Sequence, residues 1–98
     1  MSYLVYCTFD LKNASSQDYE KAYEELKGIG LTKLVKADAG HNVVIPTTST
    51  MGFFDGSGAG AVRDSVRNSV KKAFANRGLT SEIFIVVGGN WAWGGATT

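Results

Sequence analysis

The run YLVYCTFD, Tyr3 to Asp10, places seven strand-forming residues ahead of a carboxylate. Extended, it puts Leu4, Tyr6 and Thr8 on one face and Tyr3, Val5, Cys7 and Phe9 on the other. Both sets are largely apolar or β-branched, which predicts a central strand buried on both faces. Asp10 then lies at the carboxyl end of that strand, at the mouth of a sheet.

Working outward, Lys12 to Ser16 breaks the strand pattern, and Ser15 with Asp18 three residues on offers a helix cap. From Gln17 to Lys27 the residues Tyr19, Ala22, Tyr23 and Leu26, followed by Ile29, form one apolar stripe, with Gly28 or Gly30 closing the helix. Leu31 to Ala37 reads as a short edge strand carrying two lysines. Asn42 to Ile45 opens another strand that could run on to Thr50, although Pro46 argues for a bulge or an end there.

MGFFDGSGAG, Met51 to Gly60, reads as a loop leading into the longest helical pattern. Between Ala61 and Arg77 the stripe is Val62, Val66, Val70, Ala73 and Phe74, with Gly78 as the cap. EIFIVV, Glu82 to Val87, is the last strand, and the tail from Asn90 to Gly95 puts Trp91 and Trp93 on one face if extended. Strand, helix, strand, strand, helix, strand predicts an α+β, ferredoxin-like βαββαβ sandwich: a four-stranded antiparallel sheet with two helices on one face, the first and third strands central. The most apolar strand would then be an edge. That predicts a homodimer, with residues 88–98 as a dimer-contacting tail.

The 98 residues suit a single domain, 1–98. Ten Lys and Arg against nine Asp and Glu give a net charge of +1, so no whole-chain field draws in a polyanion, and nucleic-acid binding requires a local patch. One cysteine excludes an internal disulfide and fits a buried thiol in a reducing compartment. Without a cationic leader or a run of about 18 apolar residues, the reading expects a cytoplasmic protein with no membrane partner.

Three features bear on chemistry. Asp10 is the candidate metal-binding and catalytic carboxylate, for Mg or Mn shared with water and phosphate oxygens; its alternative role is to cap the turn into the first helix. Arg63, Arg67 and Lys71, four apart and extended by Lys72 and Arg77, form a basic ridge that could track DNA or RNA phosphates or simply be a solvated face. Gly56 to Ala61 matches G-x-G-x-x-A before a helix, which suits either a phosphate or a flexible connector. His41 stands alone, so zinc is not expected. Trp91 and Trp93 suit base stacking or an interface.

YLVYCTFDL, followed by helix, hairpin, helix and late apolar strand, resembles the Cas2-like proteins of CRISPR adaptation and the related VapD-type toxins. The resemblance spans most of the chain as an order of elements, and Asp10 corresponds to the family's strand-end aspartate. It implies a ferredoxin-like dimer that is either a metal-dependent nuclease or a structural nucleic-acid-binding subunit. Thr32-Lys33 and Val43 to Thr48 depart from the family's arginine after the first helix and its aromatic in the third strand. A non-enzymatic dimeric interaction or regulatory module is the alternative.

Overall fold

Along the chain the elements are β1 (Ser2–Leu11), α1 (Ser16–Ile29), β2 (Leu34–Lys36), β3 (Asn42–Val44), β4 (Ser49–Asp55), α2 (Ala59–Asn76) and β5 (Ser81–Gly88). They are seen in a computed structural model that describes residues 1–38 and 40–98. β1 is the middle strand of a three-stranded antiparallel sheet of order β4-β1-β5. Val5 sits opposite Gly52 on one side and Val87 on the other.

The alternation read in β1 sorts the two layers. Tyr3, Val5, Cys7 and Phe9 are buried beneath both helices, meeting Ala22 and Leu26 of α1 and Val62, Val66, Val70 and Phe74 of α2 in one core. Phe9 is its centre, with its ring edge-on to Tyr23 and to Phe74, each at 5.5 Å between centroids. Among the described residues the opposite face carries no helix. Leu4, Tyr6 and Thr8 are only partly covered there, and Phe53, Phe84 and Val86 are exposed. β1 is therefore central in its pairing but buried on one face, not on two.

The expected four-stranded sheet is replaced by a three-stranded sheet and a separate β2–β3 hairpin. The segment after α1 is bridged to the main sheet at Thr32, where Thr32 and Met51 exchange N–H···O bonds of 2.9 Å. The Thr32 hydroxyl then donates to the Leu34 carbonyl at 2.8 Å, and the chain turns away to pair with β3. β3 stops at Val44, two residues before Pro46, whose missing N–H cannot extend a ladder. β4 starts afresh at Ser49, so the third strand is an edge strand holding one bridge rather than a central strand.

Met51 to Asp55, expected in a loop, belongs to β4. Thr50, Gly52 and Phe54 face the helices opposite Cys7, Val5 and Tyr3. Gly52 is there because the end of α1 presses on it: a Cβ would lie 3.1 Å from the Gly30 carbonyl carbon and closer still to its oxygen. A glycine chosen for close approach looks, in sequence, like a glycine chosen for a turn.

The helix ends follow their local chemistry. Ser15 caps α1 reciprocally with Asp18: the Asp18 N–H donates to Ser15 Oγ at 3.3 Å and the Ser15 N–H to Asp18 Oδ2 at 3.0 Å. Gly30, at φ 112°, ends α1, and the Leu31 N–H returns to the Leu26 carbonyl at 2.8 Å. Gly78, at φ 71°, ends α2 in the same way, with the Leu79 N–H on the Phe74 carbonyl at 3.0 Å. Among the described residues no helix is long and apolar enough to cross a membrane.

Candidate functional site

Asp10 stands exposed at the end of β1 with Glu82 of β5 directly opposite. It does not cap α1, a role taken by Ser15. Instead the Tyr19 hydroxyl of α1 donates to Asp10 Oδ1 at 3.1 Å and accepts from the Leu11 N–H at 3.3 Å. Tyr19 is thus a buckle between strand end and helix. Beside it, Lys12 pairs with Glu82 at 2.8 Å. That contact raises the lysine pKa and lowers the glutamate's, first through the hydrogen bond and then through the charge.

A shallow cleft of about 440 Å³ opens here, lined by Thr8, Asp10, Thr48, Glu82 and Phe84 among others. Its floor is stitched by threonines: Thr8 Oγ1 donates to the Thr48 carbonyl at 3.0 Å and the Thr48 hydroxyl donates to the Phe9 carbonyl. Among the described residues no three His, Cys, Asp or Glu side chains gather in a metal-holding group. The chain supplies Asp10, already holding Tyr19, and Glu82, already holding Lys12. A cation there would draw most of its shell from water, phosphate or a second copy.

The basic ridge is exposed along α2, but its members are not equivalent. Arg63 Nε lies 3.0 Å, and Arg67 Nη2 3.3 Å, from the same atom, Asp64 Oδ1. The hydrogen bond from Arg63 is the main reason the Asp64 carboxyl titrates below its usual range. Lys71 and Lys72 are exposed and make no ion pair among the described residues. Arg77 is not part of the ridge. It reaches across to α1, 2.9 Å from Glu25 and 3.7 Å from Glu24, and ties the two helices together.

Asp10 stands exposed near the end of β1 in the sheet layer, and the four cations are exposed on α2. The glycine-rich segment has a packing explanation at Gly56, where a Cβ would strike Val62 Cγ2. Gly58 caps α2 without a side-chain hydrogen bond, and the first turn has no acidic residue.

After Gly88 the tail reaches across the open face from β5, at one edge, to β4 at the other. Trp91 leans on Phe53 at 5.3 Å. Trp91 and Trp93 then line, with His41 and Val43 of the hairpin segment, a cleft of about 480 Å³. A third cleft, of about 550 Å³, lies between α1 and the start of β2, where Lys33 Nζ sits 4.7 Å above the Tyr23 ring. Sequence reasoning gave Asp64 no role and placed Tyr19 only in the apolar stripe of α1. The i, i+3 spacing from Asp64 to Arg67 was the available signal for the first; nothing local marks the second. No family model matches this chain, and no curated protein matches it.

Proposed function

We propose that the protein is a small homodimer of ferredoxin-like descent, joined along β5, that contacts DNA or RNA through the cations of α2. The observation that carries this reading is the state of β5. It is an eight-residue strand at the edge of its sheet, with Phe84 and Val86 exposed. Such an edge favours pairing with another strand. Since α2 packs over β5, a two-fold pairing of β5 with its copy would set the two α2 helices side by side. Lys71 and Lys72 would then be doubled in one phosphate-binding patch.

The enzymatic version asks more of the geometry. A nuclease centre needs the Asp10 carboxylate, with Mg or Mn supplying charge to the phosphate, and one carboxylate suffices only where water and phosphate complete the shell. Antiparallel pairing centred on Ile85 would leave the two Asp10 copies at opposite ends. Packing of the open faces about Thr8 and Phe84 would bring them together. The edge-paired geometry therefore favours a binding subunit, and the face-packed geometry favours a nuclease.

Light scattering at micromolar concentration, alongside anisotropy with labelled DNA and RNA over a salt series, tests the first reading. A dimer whose binding falls steeply with salt is expected, and Phe84→Lys with Val86→Lys should give monomers that bind more weakly. A wild-type monomer, or no binding at low salt, refutes it and leaves the non-enzymatic interaction module. Incubation of substrates with magnesium, manganese or chelator separates the two geometries: metal-dependent cleavage lost in Asp10→Ala assigns the nuclease, and intact substrates in every lane remove it.

A further inference from the structure

We infer that Asp64 is a built-in competitor for phosphate, holding half of the basic ridge closed until a nucleic acid displaces it. The inference rests on the nucleic-acid reading above and names the residue that regulates the site. Two guanidinium groups a helical turn apart, Arg63 and Arg67, converge on one carboxylate oxygen at 3.0 and 3.3 Å. Guanidinium groups suit the oxygens of a phosphodiester as well as those of a carboxylate, so Asp64 occupies the position a backbone phosphate would take.

The contrast within the helix makes this specific. Arg77, at the far end of the helix, is held instead by two acids that belong to α1, so its ion pairs join two elements. Asp64 is on α2 itself, half exposed, and its arginines are equally exposed. Exposed pairs of this kind are weak and screened by salt, so a polyanion with several phosphates can open them. Lys71 and Lys72, without ion pairs among the described residues, make the first contact; Arg63 and Arg67 join only when Asp64 is displaced.

The protein should therefore bind nucleic acid as though it had fewer cations than its sequence contains, and removal of one carboxylate should recruit two arginines. Asp64→Asn and Asp64→Ala are compared with wild type by anisotropy on a fluorescein-labelled DNA single strand and duplex across a salt series. Glu20→Gln serves as a control that removes a negative charge from exposed α1, and all variants are checked by thermal melt.

Both Asp64 variants should bind about three- to tenfold more tightly than wild type, with a salt slope steeper by about one to two. The gain should vanish when Arg63→Gln and Arg67→Gln are added. Wild-type binding that Asp64→Asn leaves unchanged, or that Glu20→Gln strengthens equally, overturns the inference while the nucleic-acid reading survives. Absence of binding by wild type and by both Asp64 variants overturns the two together.

Discussion

Replacing Gly52 with alanine adds one methyl group where α1 ends against β4. The new Cβ would stand 3.1 Å from the Gly30 carbonyl carbon and 3.0 Å from Phe54 Cε2, and its nearest neighbour would be the Gly30 oxygen. Phe54 can rotate; the Gly30 backbone cannot move freely. Its N–H bonds to the Leu26 and Lys27 carbonyls at 3.1 Å, and the next residue, Leu31, is fully buried and bonded back to Leu26. Opening the gap by on the order of 1 Å strains the helix cap and the Thr32–Met51 bridge beyond it.

Overpacking of this kind costs about 1–3 kcal/mol, and contact with backbone puts it near the top of that range. Against it stands a gain of roughly 0.5–1 kcal/mol from removing glycine from a strand. A net loss of about 2 kcal/mol should lower Tm by roughly 8–16 °C in a domain of this size. Gly28→Ala is the matched control. It makes the same chemical change inside α1, where a Cβ meets nothing within 4 Å, and should stabilise by up to about 1 kcal/mol. Thermal melts followed by circular dichroism, with urea titration to check that the m-value is unchanged, measure both. If Gly52→Ala melts at or above wild type, the close approach of α1 to β4 is refuted.

Other substitutions probe the joints. Ser15→Ala removes the capping box of α1 and should cost about 1 kcal/mol, read as a fall in urea midpoint. Tyr19→Phe removes the donor to Asp10 and the acceptor of the Leu11 N–H; a loss of about 1 kcal/mol, with faster amide exchange at Leu11, is the expected result. Cys7 is fully buried, and burial pushes its thiol up from 9.0 to about 11. The unfolded chain thus loses that proton first as pH rises, so the thiol's contribution is intact below pH 9 and declines between pH 9 and about 11. Urea midpoints across that window should fall less in Cys7→Ala than in wild type.

What could be read in the sequence was what neighbouring residues decide. The apolar stripes of α1 and α2, Ser15 with Asp18, and the stop at Gly78 rest on contacts within a few positions and stand where the pattern placed them; for α1 the pattern offered Gly28 or Gly30, and Gly30 is the stop. β4 was hidden because Gly52 answers to a carbonyl more than twenty residues earlier in the chain. The separate hairpin was hidden because Thr32, not a recognisable turn, redirects the chain. At the site, the position of Asp10 at the end of the sheet was legible. Its bond to Tyr19 was not, because that contact exists only once α1 has docked on β1, and the division of the ridge by Asp64 needs side-chain directions that spacing alone leaves open.

The place of β1 also bears on how the chain is made. It precedes both of its neighbours, residues 49–55 and 81–88, so its ladder is completed only when Gly88 has been made. At 5–20 residues per second, roughly 4–15 s pass between Leu11 and Gly88. During that interval the apolar side of YLVYCTF has no finished core, and α1 alone cannot cover it. Until α2 has been made, the part of YLVYCTF that Val62, Val66, Val70 and Phe74 cover in the finished core stays open.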